Sequence, residues 1–548
     1  MHLSAVLAVG IIEKKAEERV DMALQDVIYK LRNEAHMSRE QFAQVMGVSQ
    51  QAVQKWENGN SVPDMKNVVK MAKFFRVSTD ALLLDGDLRT AELENNSKTI
   101  APNYSDMVSA AFSDDLTIEY IQSYEEGLDV EQYKNLFEAV DKMPKGANRD
   151  KMADVLFDIV LNAPMREDYA YTEPSVLEEI RQLRKAHSVS GTVPTGDTLR
   201  SKIHGAWLGR VIGCLLGKPV EGIRTNDFVP LLRETGNLPM HRYILSEDIT
   251  DKVREMIQFD TRNKCFADTV DCMPVDDDTN YVVLAQLLID RYGSKFTPRD
   301  VARLWLESQS IYNYFTAERV AFVNFIKGYE PPASAVYKNH YREYIGAQIR
   351  GDYFGYINPG RPEEAAELAF KDASISHIKN GIYGEMFVSA MIACAAVTEN
   401  MEDIIRGGLA QIPQTSRLYE AVDGIIQDYK TGRTLQDAYR KIHEAYDEHT
   451  GYGWCHTISN AMIVTAALLY GEGDFGKSIC MAVEPAFDTD CNGATVGSIV
   501  GMRNGVECIS EYWAKPVNNT IDTSIFGVGK VSITDCVEKT LKHIAQMK

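Results

Sequence analysis

The chain has no stretch of about 18 apolar residues free of charge, which excludes a membrane-spanning helix of ordinary length. Basic residues are in deficit. Against 78 Asp and Glu there are 58 Lys and Arg, a net charge of −20, so general affinity for nucleic acid or anionic membranes is not expected. No C-x-x-C pair occurs among the nine scattered cysteines, an odd number, and reduced thiols in a cytosol are expected instead of a disulfide framework. A secretory leader is not expected either. Residues 3–12 (LSAVLAVGII) are apolar, but no basic segment precedes them, no small-residue cleavage site follows, and Glu13-Lys14-Lys15 comes next. The chain is therefore expected to be cytoplasmic, and Met22, where organised patterning begins, is its expected start. No Ser-His-Asp order, phosphate P-loop or dinucleotide fingerprint is expected anywhere in the chain. What is present is the composition of a soluble globular protein, and 548 residues are enough for two or three domains.

Residues 22–86 carry the sharpest pattern. Val27, Ile28 and Leu31 mark a first helix. Ser38-Arg39-Glu40-Gln41 spells a capping box, ahead of a helix bearing Phe42, Ala43, Val45 and Met46. Gly47 ends that helix and Ser49 caps the next, where Ala52, Val53 and Trp56 face inward and Gln50, Gln51, Gln54 and Lys55 face out. Two short helices around a glycine turn, with amides and an amine on the free face, suit a major groove. This segment resembles the Cro/C1-type helix-turn-helix family in Ser38–Ala43, in Gly47-Val48-Ser49 and in Val53-Gln54-Lys55-Trp56-Glu57-Asn58-Gly59. The resemblance implies a small five-helix-type domain that binds an operator in double-stranded DNA through Arg39, Gln50, Gln51, Gln54 and Lys55. Residues 21–86 hold eight basic and eight acidic side chains, so the module is neutral and a homodimer is the expected DNA-binding form.

Residues 87–103 are poor in apolar side chains and are expected to be a linker. Helical periodicity resumes over 104–162, as in Tyr133-Leu136-Phe137-Val140 and Met152-Val155-Leu156-Ile159-Val160, and predicts a helical spacer with no visible chemistry. From about residue 166 to the end lies a third, all-α region. It holds two glycine ladders at i, i+4 spacing: Gly205, Gly209, Gly213, Gly217, and Gly493, Gly497, Gly501, Gly505. Each glycine inside a helix costs about 1 kcal/mol against alanine, so such rows point to a second backbone very close by. If the ladders face each other, Glu221 comes within range of Asp488 and Asp490.

The acids are the candidate chemistry. Asp488 and Asp490 open the second ladder, and Asp276-Asp277-Asp278 opens an apolar helix over 281–289. Carboxylates this close repel unless neutralised, and hard oxygen donors from two distant places suit Mg²⁺, Mn²⁺ or Ca²⁺. The same residues also suit N-caps before buried helices. His377, after Ser376 and before a helix start, is read either as pocket lining or as a backbone hydrogen-bonding group. His456 and Asn460 precede another apolar helix, where capping is the ordinary role. The turn-rich, aromatic run 348–360, with Asn358, suits either a ligand loop or packing.

Together the motifs resemble the ADP-ribosylglycohydrolase family, which includes ADP-ribosyl-arginine and ADP-ribosyl-serine hydrolases and the dinitrogenase-reductase-activating enzyme. The resemblance runs from about residue 166 to the C-terminus. It rests on Gly217-Lys218-Pro219-Val220-Glu221, Asp277-Asp278-Thr279, Ser376-His377 before Gly381-Ile382-Tyr383-Gly384, and Asp488-Thr489-Asp490-Cys491-Asn492-Gly493. It implies an all-α fold and a centre of one or two Mg²⁺ ions, with Mn²⁺ as the softer option, that holds the ribose hydroxyls of an ADP-ribosyl group. The implied metal ligands are Asp276, Asp277, Asp278, Asp488, Asp490 and Cys491. Glu221, Asp277 and Asp490 are the implied catalytic residues, and His377, Asn358 and His456 the expected substrate-binding ones. Three positions depart from the family pattern: Asp276 stands for Thr or Ser, Cys491 for Thr, and Cys214 for the acid of a Gly-Asp-Ala-Leu-Gly motif. A thiol is a poor magnesium ligand. Two functions stay open: a metal-dependent hydrolase of an ADP-ribosyl or related ribosyl bond fused to a DNA-binding module, or a transcriptional regulator that senses ADP-ribose or a nucleotide without turnover.

Overall fold

A computed structural model describes residues 24–35, 37–75, 77, 79, 82, 107, 109 and 111–547. The chain divides into two compact units, Met1–Asn103 and Tyr104–Lys548. Both are helical. Among the described residues the named strands are Thr520–Ile521 and Val531–Ser532, an antiparallel pair. The expected start at Met22 and the linker over 87–103 lie outside the described residues.

Four helices are described in the first unit: Leu24–Glu34 (α1), Arg39–Met46 (α2), Gln50–Glu57 (α3) and Met65–Phe75 (α4). Local chemistry accounts for their ends. Ser38 Oγ accepts from the Gln41 N–H while the Gln41 side chain returns to the Ser38 N–H, the reciprocal capping box. Gly47 stops α2 with φ +68°, a left-handed conformation that glycine adopts without a Cβ penalty. Ser49 caps α3 through the Ala52 N–H. Ile28, Phe42, Met46, Val53, Trp56 and Met71 close the core. A fifth helix would follow Phe75, where most residues lie outside the described set.

In the second unit the spacer helices Leu116–Glu125 (α5), Lys134–Asp141 (α6) and Ala147–Asn162 (α7) share a small core of Leu116, Phe137, Val140, Leu156 and Phe157. The ladder helices, Gly196–Gly217 (α8) and Thr489–Asn504 (α14), form the axis of the larger core. Between them in sequence come Asp277–Tyr292 (α9), Asp352–Tyr356 (α10), Lys379–Ala395 (α11), Thr457–Gly471 (α12) and Phe475–Val483 (α13). Helices α11 and α12 are apolar and buried on nearly every side, as helices inside a large core are.

Helices α8 and α14 run antiparallel with their glycines in register. A Cβ added at Gly209 would lie 2.2 Å from the Gly497 carbonyl oxygen, one at Gly213 1.9 Å from that of Gly493, and one at Gly501 2.0 Å from that of Gly205. No side chain fits between backbones this close, which explains the two matching rows of glycine. The ladder ends where Gly217 meets the backbone of Thr489 and Asp490, so the packing itself carries the residues after α8 up to the start of α14.

The expectation that no phosphate-loop or dinucleotide pattern occurs has to be corrected at the level of sequence. Gly471–Ser478 (GEGDFGKS) spells both G-x-x-x-x-G-K-S and G-x-G-x-x-G. Here it joins two helices instead of leaving a strand. The N-terminus of α13 is capped by the Asp474 carboxylate, Gly476 backs onto Trp513, and Lys477 pairs with Glu472. A carboxylate already fills the place a phosphate would take.

Candidate metal centre and nucleic-acid interface

Three helix boundaries meet at the acid cluster. Asp276 is the N-cap of α9, and its Oδ1 accepts the Asp278 N–H at 2.9 Å. Asp488 is the N-cap of α14, reached through Ala486 (φ +64°) and Phe487 (φ +63°). Two consecutive non-glycine residues in the left-handed region hold backbone strain against the site, and burial of both side chains keeps it in place. The third boundary is the end of α8, whose next turn carries Lys218 and Glu221.

The acids lie deep. Asp276, Asp278, Asp488 and Asp490 are each 5% exposed or less, Asp277 is half-buried, and Glu221 is exposed at the rim. Arg210, buried within the ladder helix, donates to the Asp278 carbonyl oxygen and to Asp278 Oδ1 at 2.8 Å, and its Nη1 lies 3.0 Å from Asp352 Oδ2. Lys218 Nζ reaches Asp276 Oδ2 at 2.5 Å. The Cys455 thiol donates to Asp488 Oδ2 at 3.5 Å, while Asn460 Oδ1 accepts the Asp488 N–H and the Asn492 amide.

Two carboxylate oxygens, Asp278 Oδ2 and Asp490 Oδ1, are buried with no hydrogen-bond partner. Donor atoms of Cys214, Asp276, Asp278 and Asp490 lie within 4.8 Å of one another, as do those of Asp488, Asp490 and Cys491. Without a cation the cluster holds its protons. Burial, against the pull of Arg210, pushes Asp278 up to about 8. Burial and the neighbouring acids raise Asp277 and Asp490 well above the carboxylate range. Among these aspartates only Asp276 moves down: burial pushes it up, but Lys218, the Cys214 thiol and the Asp278 N–H together pull it lower. Burial also raises the thiols of Cys214 and Cys491, and they stay protonated. Unpartnered oxygens among crowded acids are the donor set a hard cation fits, and the sulfurs are its weak members.

At the rim, Glu221 is open to solvent yet densely surrounded by protein atoms. Desolvation leads, Asp488 and Asp276 add to it, and the carboxyl is pushed up to about 7. Arg224 lies 4.9 Å over the Trp454 ring, beside Cys455.

The three expected substrate-binding residues are not brought into this cluster. Asn358 follows α10, is fully buried, and donates to the Phe354 carbonyl. The aromatic run around it turns into a short helix packed on Trp207 and the core, not into a pocket loop. His377 is fully buried, with Nδ1 on Ser376 Oγ and Nε2 3.9 Å from Glu318. Burial and Arg350 hold it well below the usual histidine value. His456 caps α12, its Nδ1 accepting from the Ile458 N–H with Nε2 3.9 Å from Glu343. It is linked to the centre through its neighbour Cys455 and through Asn460, whose amide donates to the His456 carbonyl.

Sequence reasoning missed Arg210, Lys218 and Cys455. Arg210 had left a signal, because a charge in a helix buried all round requires a buried partner. Nothing local marked Lys218 or Cys455.

On the first unit, Gln50, Gln51, Gln54 and Lys55 are exposed along one face of α3, while Val53 and Trp56 are buried. Arg39 differs from them. Its Nε pairs with Glu57, which also holds the buried Arg32, so this guanidinium ties α2 to α3.

A family model described as ADP-ribosylglycohydrolase matches residues 195–545, and one described as helix-turn-helix matches residues 28–82. Over 77 residues the chain is 38% identical to the HTH-type transcriptional activator BcrR of Enterococcus faecalis, spanning 14% of this chain and 38% of that protein's length. Over 82 residues it is 30% identical to the SPbeta prophage-derived uncharacterized HTH-type transcriptional regulator YonR of Bacillus subtilis (strain 168), spanning 15% of this chain and 76% of that protein. A solved ADP-ribosylglycohydrolase-related protein complex is similar at 17% identity and a TM-score of 0.39, over 64% of this chain and 99% of that one.

Proposed function

The chain belongs to the ADP-ribosylglycohydrolase family and carries a helix-turn-helix domain ahead of the hydrolase-family domain, and from that premise we propose that it is a metal-dependent hydrolase of an ADP-ribosyl, or related ribosyl, glycosidic bond brought to DNA. Residues 22–86 take the operator, 87–103 tether, 104–162 buttress, and 166–548 hydrolyse. The carrying observation is the pair of buried, unpartnered oxygens, Asp278 Oδ2 and Asp490 Oδ1, contributed by helices more than 200 residues apart in sequence.

Asp276, Asp277, Asp278, Asp488 and Asp490 would hold Mg²⁺ or Mn²⁺, with Cys491 the weakest donor. When bound, the ion supplies the positive charge that orders ribose hydroxyls and polarises water beside them. The chain's own residues do the rest. A ribosyl bond breaks through an oxocarbenium-like transition state, helped by a proton to the leaving group and an oriented water. Glu221, at the open rim with its carboxyl near neutrality, can exchange a proton in that range. Asp277, half-buried beside it, and Asp490 align the attacking water. Strain at Ala486–Phe487 fixes Asp488 and Asp490 before substrate arrives. On the DNA side Gln50, Gln51, Gln54 and Lys55 read the groove, Arg39 steadies them, and a homodimer supplies the affinity a neutral module lacks. The location in this reading is the cytoplasm.

Cys214 and Cys491, thiols where oxygen donors are expected, favour a second reading, a regulator that binds ADP-ribose or a nucleotide without cleaving it. Incubation of the Mg²⁺-loaded protein with ADP-ribosylated arginine, serine and nucleobase separates the two. Release of ADP-ribose from any of them supports hydrolysis; a rise in melting temperature with free ADP-ribose and no release from any substrate supports the sensor.

A further inference from the structure

Lys218 is a partly exposed cation in direct contact with the acid cluster. It sits on the turn that follows α8, where contact of Gly217 with the Thr489–Asp490 backbone fixes its position. Its side chain is 18% exposed, and its ammonium lies against Asp276, whose side chain is 2% exposed. Both Asp276 oxygens are thereby engaged, Oδ1 by the Asp278 N–H and Oδ2 by Lys218. The oxygens left without a partner belong to Asp278 and Asp490. So the cluster is asymmetric in its free oxygens: Asp276 has none, whereas Asp278, whose Oδ1 is held by Arg210, and Asp490 each keep one. The two thiols repeat the asymmetry. Cys214 Sγ lies with Asp276, Asp278 and Asp490, and Cys491 Sγ with Asp488 and Asp490, so two of the donors that would complete a second hard-ion site are sulfur.

We propose that the Lys218 ammonium takes one cation position of this centre, so that the protein binds a single divalent ion, on the side of Asp278 and Asp490. The inference rests on the metal-dependent reading above and narrows it. A second divalent ion at Asp276 would have to approach a fixed ammonium in a poorly solvated site, where like charges repel strongly. The geometry makes Lys218 a positioning residue: it orients Asp276, and Asp276 in turn caps α9 and orients Asp278.

The test is the stoichiometry of Mn²⁺ on the full-length protein after equilibrium dialysis, read with electron paramagnetic resonance. The wild type is expected to hold one ion per chain with the uncoupled spectrum of an isolated ion. In Lys218→Met a second ion should enter, at least about tenfold more tightly than any further ion in the wild type, with an exchange-coupled spectrum. Lys218→Arg, which keeps the charge, should still hold one. Two coupled ions in the wild type, or a single ion in folded Lys218→Met, would overturn the assignment while leaving metal dependence standing. No bound ion in the wild type would overturn both. Should Lys218→Met fail to fold, the wild-type stoichiometry and spectrum still decide.

Discussion

Asp278 and Asp490 each keep one buried oxygen without a hydrogen-bond partner, and burial beside other acids raises their affinity for a proton. The consequence is a pH dependence of known sign. Asp278 is pushed up to about 8 and Asp277 and Asp490 are raised well above the carboxylate range, so the folded, metal-free protein holds protons that the unfolded chain has released. Stability in EDTA should therefore fall as pH rises from about 4 through about 8. Added Mg²⁺ takes the protons' place, and its increase in melting temperature should be larger at pH 8 than at pH 5.5. Equal increases at the two values would contradict the cluster's assignment. At Ala486, glycine should relieve left-handed strain, so Ala486→Gly is expected to raise stability by up to about 1 kcal/mol in thermal melts. At this scale the sequence was legible for the acids, because carboxylates crowded at a helix start carry their own signal. It was illegible for Lys218 and Cys455, whose roles exist only through Asp276 and Asp488, partners brought in by the fold. His377, His456 and Asn358 lie outside the acid cluster: His456 caps a helix, and the other two make buried hydrogen bonds.

Among elements, α8 and α14 carry the fold and the site together. Gly209→Ala would drive a Cβ to 2.2 Å from the Gly497 carbonyl, part the helices and shift the turns bearing Glu221 and Asp490. A loss of about 3 kcal/mol or more is expected. Gly424, inside the helix Arg417–Lys430, is the control, since a Cβ there would meet only the flexible end of Lys441. Gly424→Ala should be neutral or stabilising by about 0.5–1 kcal/mol. Similar melting temperatures for the two variants would refute the close packing. The facing of the ladders could be anticipated because their period matches a helix face. The helix-turn-helix was legible for a related reason: capping box, glycine turn and inward apolar triad all act within a few residues. The buried run 348–360 was not, since whether aromatics line a pocket or a core depends on what covers them.

At the scale of the whole chain, the spacer is held to the hydrolase-family domain by buried charge. Arg342 pairs with Glu119 and Glu126 of the spacer, and Gln122 donates to Glu343 at 2.7 Å. Arg342→Met would strand two buried carboxylates and is expected to cost about 3–5 kcal/mol. An unchanged melt would sever the spacer from the unit's stability. These pairs link positions 216 and 223 residues apart, so sequence periodicity, which found the helices, had no access to their attachment. The charge of −20 sits outside a neutral helix-turn-helix, and operator affinity should accordingly rest on a few groups of α3.

The central claim is that the two acid clusters make one metal-dependent hydrolytic centre. It is tested most directly by comparing release of ADP-ribose from ADP-ribosylated substrates by the wild type in Mg²⁺, the wild type in excess EDTA, and Asp488→Asn/Asp490→Asn in Mg²⁺. Turnover by the first alone is predicted, with a loss of about a thousandfold or more in the other two and a cooperative melt retained by the double variant. Undiminished turnover in EDTA or in the double variant would contradict it.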